Sequence, residues 1–329
     1  MGVIASIFFG FVPMFFFAAF VYWLDQYEKE PRLLLGLVFF WGAVIAAAGA
    51  FLINTLFGIG VYGVTGSETA ADLTTSTLIA PFEQESLIGF AVVLVFWFVR
   101  NEFDSILDGI VYASVTALGF AATENAYYIY SYGYANNGWG GLVSMIIVRV
   151  ILVGWQHPFY TSFTGIGLSI ARLNRSWAVK IIAPLAGLSL AIFTHAFHNL
   201  MASVLSGPAI LVGFGLDWTG WLGMFIFILV LINREKNWMV QYLRDEVSLG
   251  TINSTQYRTA SSALRIFVAQ FSALMQGQPG TTSRFYQLCA ELSHKKRELA
   301  TLGDESGNGK TIEKLRSEIS RLSSSAFSG

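Results

Sequence analysis

The sequence is poor in charged side chains and almost lacks cysteine. Aspartate, glutamate, lysine and arginine make up 12% of the 329 residues, whereas a soluble domain carries roughly 25%. So few charges cannot cover a water-facing surface, which excludes an ordinary soluble enzyme. Intrinsic disorder is excluded as well, because disordered chains are polar and rich in charge. The single cysteine, Cys289, excludes a disulfide framework and a cysteine-based zinc site.

Long apolar runs take the place of the missing charge. Apolar residues make up 54% of the chain and aromatic residues 15%. A membrane-spanning helix needs roughly 20 mostly apolar residues, and seven stretches meet this requirement. The composition therefore predicts an all-α polytopic membrane protein with about seven transmembrane helices. These are expected near residues 4–24, 33–58, 74–98, 108–132, 142–171, 178–204 and 209–232.

The short loops predict how the chain is oriented. Lysine and arginine occur only in alternate loops, and lysine- and arginine-bearing loops stay on the cytoplasmic side. We therefore expect a multi-pass protein of the cell membrane with its N-terminus outside and its C-terminus in the cytoplasm. Arg149 departs from this pattern because it falls inside the fifth stretch. The basic loop residues are Lys29, Arg32, Arg100, Arg172, Arg175 and Lys180.

The composition changes after about residue 232, which predicts two domains. Residues 1–232 form the membrane domain, and residues 233–329 form a helical cytoplasmic tail with a polar hinge near 303–310. Basic and acidic residues are interleaved in the tail, so no nucleic-acid partner is expected. Apolar side chains at helical spacing predict an amphipathic helix that docks a partner or self-associates. They are Leu264, Phe267, Val268, Phe271, Leu274 and Met275.

Ionisable and amide side chains interrupt four of the apolar stretches. A charged residue at the centre of a membrane costs roughly 2.5–3.5 kcal/mol on insertion scales, and such residues usually serve a function in the bundle interior. For each residue alone, a structural polar contact between helices is the alternative. The interrupting residues are Glu83, Gln84, Glu85, Glu124, Asn125, Gln156, His157, His195, His198 and Asn199.

Four of these residues are expected to share one layer of the membrane. At a rise of about 1.5 Å per residue, Glu85, Glu124, His157 and His195 lie roughly 20–26 Å from the cytoplasmic ends of their helices. A carboxylate beside histidines in a medium of low dielectric constant is typical of a general base. Asn199 follows His195 by four residues on the same helix face, where both side chains can stabilise an oxyanion.

At these residues the sequence resembles the PrsW family of intramembrane proteases, which is related to the CAAX prenyl-protein endopeptidases. The resemblance runs from about Asp25 to Asn199, more than half of the chain. Its motifs are DQYEKEPRLLL around 25–35, APFEQESLIG at 80–89, DGIVYASVTALGFAATENAYY at 108–128, HPFYTSFTGIGL at 157–168 and HAFHN at 195–199.

The resemblance implies a glutamic-type intramembrane endopeptidase that acts on membrane-anchored proteins, anti-sigma factors among them. Glu85 would be the general base, and His157 would orient water or shuttle protons. His195 and Asn199 would polarise the scissile carbonyl, and Glu124 would be a supporting or proton-relay carboxylate. Supporting positions are Glu83, Gln84, Asn125 and His198.

No cofactor or metal is expected, although zinc is an alternative. Two histidines and a glutamate, here His157, His195 and Glu85, can hold zinc with water as the fourth ligand. The family's Pro-x-x-Glu-Glu-x-x-Lys motif is altered, since its first Glu is Gln84 and its Lys is Ile88.

The substitution at Gln84 keeps other functions open. Glutamine cannot take up a proton at neutral pH, so a catalytically inactive membrane scaffold is an alternative to a protease. Glu83 is one residue away, but on a helix it points about 100° from Gln84. A transporter is a third hypothesis, although the inverted repeats common in transporters are not evident in the sequence.

Overall fold

A computed structural model describes residues 1–277, 279–304 and 307–325. Within these ranges the chain is helical and contains no β-strand. The α-helices are α1 Gly2–Leu24, α2 Arg32–Phe40, α3 Ala47–Thr65, α4 Glu68–Thr74, α5 Ala80–Phe98, α6 Ile106–Tyr128, α7 Ala135–Ile146, α8 Gln156–Arg172, α9 Trp177–Val204, α10 Ile210–Tyr242, α11 Arg244–Ser248, α12 Ser254–Ala260, α13 Ala263–Met275, α14 Pro279–Leu302 and α15 Asn308–Ser325.

The expected all-α membrane architecture is confirmed. Among the described residues, six helical segments are long and apolar enough to cross a membrane. Several of them join successive helices through π-helical turns such as Trp41–Ala46 and Thr75–Ile79. The segments are Gly2–Leu24, Arg32–Thr65, Glu68–Phe98, Ile106–Arg172, Trp177–Val204 and Gly207–Ser248.

The segment Ile106–Arg172 is too long for a single crossing. Its 67 residues would extend about 100 Å if straight, and the hydrocarbon core is only about 30 Å thick. The backbone departs from helical geometry at Asn137 and Gly138, where Gly138 has φ +58°. Gly133 and Gly141 lie against each other across this kink, so the chain reverses there. Two crossings here would give the expected seven, but the number of crossings and the orientation stay predictions.

The helices pack as two units. The first comprises residues 1–23, 30–172 and 176–227, and the second comprises 24–29, 173–175 and 228–329. The expected domain boundary at 232 stays a prediction, and Glu305 and Ser306 of the expected hinge lie outside the described residues.

Helix α6 lies at the centre of the first unit. It is buried over most of its length, and its start is fixed by a capping box. Ser105 is the N-cap, and Asp108 at the third helical position accepts hydrogen bonds from the backbone N–H groups of Asp104 and Ser105. Ser105 rather than Asp108 is therefore the N-cap, because Asp108 already lies within the helix.

Glycines bring α6 against the second helical segment. A Cβ at Gly119 would lie 2.0 Å from the carbonyl oxygen of Phe39, and one at Gly42 would lie 1.9 Å from that of Thr116. The backbones therefore touch, in the small-residue packing that is common between membrane helices. Elsewhere on this unit large apolar side chains face outward, as expected of a surface in contact with lipid; Phe98, for example, is 82% exposed.

The second unit is a smaller helical assembly around α14. Helices α14 and α15 pack antiparallel, and Arg284 near the start of α14 pairs with Glu318 near the end of α15. The fully buried carboxylate of Glu246 accepts hydrogen bonds from Lys296 and Arg316, so its charge is compensated.

We predict that Gly119→Ala destabilises the protein, because the added methyl group overlaps the backbone of α2. Overpacking of this kind costs about 1–3 kcal/mol, and the midpoint of thermal unfolding in detergent should fall. The matched control is Gly60→Ala in α3, where a Cβ meets nothing within 4 Å. A variant at Gly119 as stable as this control would contradict the close helix contact.

Candidate active site

A buried carboxylate, Glu85, joins three helices. It lies in the second turn of α5 and is 0% exposed. One carboxylate oxygen lies 2.9 Å from Nδ1 of His195 on α9, and the other accepts a hydrogen bond of 2.8 Å from the hydroxyl of Thr161 on α8. Both oxygens are therefore satisfied, as a carboxylate in an apolar interior requires.

A second carboxylate, that of Glu124, contacts His157. Nε2 of His157 at the start of α8 lies 3.1 Å from the Glu124 carboxylate near the end of α6. Arg149 forms a close ion pair with the same carboxylate. Its Nε donates to the side-chain oxygen of Asn125 at 3.1 Å, and its guanidinium lies 4.4 Å from the ring centre of Tyr128. These contacts explain why an arginine is tolerated within an apolar stretch.

The Glu85–His195 pair and the Glu124–His157 pair contact each other through their imidazole rings. The rings of His157 and His195 are 5.0 Å apart between centroids and nearly perpendicular. Tyr160 stacks on His195 at 4.7 Å, and Phe120 packs edge-on against His157 at 5.0 Å. Aromatic neighbours thus fix both imidazole rings. Glu85, Glu124, His157 and His195 thus form one cluster in space, while their shared depth in the membrane stays a prediction.

A cavity of about 910 Å³ adjoins this cluster. Gln84 lines it, whereas Glu85 is fully buried beside it. The Gln84 side-chain oxygen is buried and has no hydrogen-bond partner among the described residues. Other polar lining residues include Asn54, Asp72, Glu124, Asn125, Tyr128, Arg149, Gln156, His157, Tyr160, His195, His198 and Asn199.

Glu83 does not take the place of Gln84. Helix α5 stays regular after Pro81, and Glu83 is buried with one oxygen accepting a 2.9 Å hydrogen bond from the amide of Asn54. The backbone from Ala80 to Phe98 is helical, so no local unwinding turns Glu83 toward the position of Gln84.

Asn199 and His198 have partners beyond the cluster. The Asn199 amide lines the cavity and donates a 2.8 Å hydrogen bond to the carbonyl of Ser76. Nδ1 of His198 lies 3.0 Å from the Asp217 carboxylate and 2.9 Å from the amide of Gln156. Asn199 retains a second amide N–H for a ligand, while His198 is a link between helices.

Sequence reasoning missed two contributors to the site. Thr161 is one of several small residues in α8, and nothing in the sequence distinguishes it as a partner of Glu85. Arg149 was noticed as a charge out of place, but its partner Glu124 was not identified. The position of Arg149 within an apolar stretch could have indicated this pairing, because a charge inside the membrane usually has an opposite charge nearby.

The cluster also suits a metal ion. Glu85, His157 and His195 each offer a ligand atom, and these atoms lie within 4.8 Å of one another. Nδ1 of His157 is buried without a hydrogen-bond partner among the described residues. Two imidazoles and one carboxylate are a common set for catalytic zinc.

Fold and site together define a multi-pass membrane protein with a buried carboxylate–histidine cluster beside a cavity. Residues 30–233 match the PrsW family of intramembrane metalloproteases. This is more than half of the chain, and the chain therefore belongs to the PrsW family.

Two named relatives agree with this assignment. Protease PrsW of Geobacillus kaustophilus (strain HTA426) is 26% identical over 156 residues, which cover 47% of this chain and 62% of that protein. Protease PrsW of Bacillus subtilis (strain 168) is 28% identical over 165 residues, which cover 50% of this chain and 68% of that protein. No solved structure matches the chain significantly.

We predict that Arg149→Gln destabilises the protein and that adding Glu124→Gln restores more than half of the loss. Both side chains are less than one-fifth exposed, and removing one partner of such a largely buried ion pair costs up to about 3 kcal/mol, because the other charge remains uncompensated. The free energy of unfolding of both single variants and the double variant measures the coupling. Arg100→Gln is the control, since Arg100 is exposed. Additive losses would contradict the pairing.

Proposed function

We propose that the protein is an intramembrane endopeptidase that hydrolyses peptide bonds of membrane-anchored proteins. The observation that carries this proposal is the contact between the buried Glu85 carboxylate and His195, with the ring of His157 beside it. A carboxylate that holds an imidazole is the arrangement by which many hydrolases remove a proton from a nucleophile. The named relatives are proteases, which supports the same reaction.

In the proposed mechanism the Glu85–His195 pair is the general base. The pair takes a proton from water, and the water oxygen attacks the carbonyl carbon of the scissile bond. The second amide N–H of Asn199 stabilises the oxyanion. The carbon–nitrogen bond then breaks, and the pair returns the proton to the leaving nitrogen. From the sequence, His195 was expected to polarise the scissile carbonyl. The role proposed here differs because Nδ1 of His195 contacts the Glu85 carboxylate.

His157 is proposed to orient the water. Its Nε2 faces Glu124, whose charge is already balanced by Arg149. The ring position is therefore fixed before substrate arrives, which is the property that a water-orienting group needs. Glu124 and Arg149 act through His157, and Asn125 positions Arg149.

The cavity volume is compatible with a short peptide segment. Its roughly 910 Å³ lies at the upper end of the usual range for ligand sites, and its walls combine apolar surface with a few polar groups. We propose a membrane-anchored regulatory protein of the anti-sigma-factor kind as substrate, on the resemblance alone.

A zinc-dependent peptidase is the second candidate. It is favoured by the three ligand atoms within 4.8 Å and by the unpartnered Nδ1 of His157. Glu85, His157 and His195 would hold the ion. Zinc would supply Lewis acidity and a bound water of low pKa. Arg149 and Glu124 would still orient His157, as groups behind a metal ligand commonly do.

We predict that Glu85→Gln abolishes cleavage while the protein still folds, because a neutral amide cannot stabilise the positive charge that His195 gains when the pair takes up the proton. The membrane proteomes of cells carrying wild type or variant are compared for N- and C-terminal fragments of membrane proteins. Glu68→Gln, which makes the same change at an exposed position, is the control. Fragments that require Glu85 identify the substrate and the cut.

Identical fragment lists at equal protein abundance would contradict the protease and favour a scaffold. Gln84→Glu then tests whether the altered motif is the cause, because it returns a carboxylate to the wall of the cavity.

The two mechanisms differ in metal content. The metal-free mechanism predicts less than stoichiometric zinc in the purified protein and no loss of cleavage on treatment with a chelator. Zinc at one ion per chain that disappears in His157→Ala, while zinc content is unchanged in Glu68→Gln, would establish the second candidate instead.

A further inference from the structure

Helix α13 carries an apolar stripe that the described residues leave uncovered. Six large side chains lie within a sector of about 120° at 100° per residue, with Phe271 at its centre. Each is more than half exposed. They are Leu264, Phe267, Val268, Phe271, Leu274 and Met275.

The opposite face of α13 packs against its own unit. Ile266 is 5% exposed and Ala273 8% exposed, and both lie roughly 200° around the helix from Phe271. The helix therefore cannot turn its stripe inward without giving up the contacts that hold it. A contiguous exposed apolar face of this kind marks an interaction surface.

A hydrogen bond joins the start of α13 to the short segment that follows α1 in the chain. The backbone N–H of Ala263 donates to the Tyr27 hydroxyl at 3.3 Å. Tyr27 is three residues beyond Leu24, the last residue of the candidate span α1. Three residues extend at most about 11 Å, so Tyr27 lies within that distance of the point where α1 ends.

The charge around α13 suits an anionic surface. Between Glu246 and Arg284 the sequence contains two arginines, Arg258 and Arg265, and no acidic residue. Arg265 lies at the edge of the apolar stripe, about 120° from Phe271. Phenylalanine and leucine on one face with arginine at its border are typical of helices that lie in a membrane interface.

We propose that α13 is an interfacial helix that inserts its apolar stripe into the headgroup–acyl boundary of the same bilayer that α1 spans. The occupant of the stripe is lipid. This interaction fixes the second unit to the membrane surface independently of any peptidase activity.

The test uses the full chain in vesicles of phosphatidylcholine and phosphatidylglycerol. A nitroxide is attached at Phe271→Cys, at Ser272→Cys on the border of the stripe, and at Glu313→Cys on α15, where the side chain is 71% exposed. Native Cys289 does not compete, because it is fully buried and burial raises the pKa of its thiol.

At residue 271 we expect collisions with oxygen to exceed collisions with a water-soluble nickel chelate, as at a depth of about 5–10 Å. The label at 313 should show the opposite, and the label at 272 an intermediate ratio. Nickel access at 271 equal to that at 313 would overturn the proposal. So would dipolar broadening at 271 that grows with protein density, because a second copy would then cover the stripe.

A charge substitution gives an independent check. With the label moved to Val268→Cys, Phe271→Glu should shift the collision ratio toward nickel, whereas Ser272→Glu should leave it nearly unchanged. Equal effects of both substitutions would show that the stripe does not contact lipid. Both altered side chains are exposed, and unchanged thermal unfolding verifies that each variant folds.

Discussion

The burial of Glu85 in an apolar helix bundle is the constraint on which the site depends. A carboxylate removed from water must have each oxygen satisfied, or it costs several kcal/mol. Thr161 and His195 meet this need from two other helices, so α5, α8 and α9 are tied together at one point. The same contact fixes the ring of His195 for chemistry. The Glu85–His195 contact thus both stabilises the helix bundle and orients the groups of the proposed reaction.

Glu124 shows the same principle with a different solution. Its partner is a full positive charge, Arg149, and His157 uses the remaining capacity of the carboxylate. The cluster therefore contains one carboxylate balanced by an arginine and another held by a threonine hydroxyl and an imidazole. Two carboxylates in unlike surroundings can take unlike roles, one as a fixed orienting group and one as a proton acceptor.

Gln84 is the departure that matters most for the proposed chemistry. It lines the cavity at the position of the motif's first glutamate, while the retained carboxylate, Glu85, lies behind the wall. A peptidase built this way needs His195 to connect the base to the cavity. An amide in place of a carboxylate also removes one negative charge from a crowded acidic site, because Glu83, Glu85 and Glu124 remain nearby.

The sequence alone determined the class of the protein, and it marked Glu85, Glu124, His157 and His195 as the polar residues that the fold then brings together. Low charge and long apolar runs require a membrane bundle, and polar residues within those runs are costly enough to mark function. Helical spacing also predicted the stripe of α13. Only the tertiary structure decided that Glu85 pairs with His195 and Glu124 with Arg149, and that Gln84 rather than Glu85 lines the cavity. It also decided that the described part of the chain leaves the stripe of α13 exposed. Spacing fixes which side chains share a face of one helix, but contacts between helices depend on their packing, which no single segment encodes.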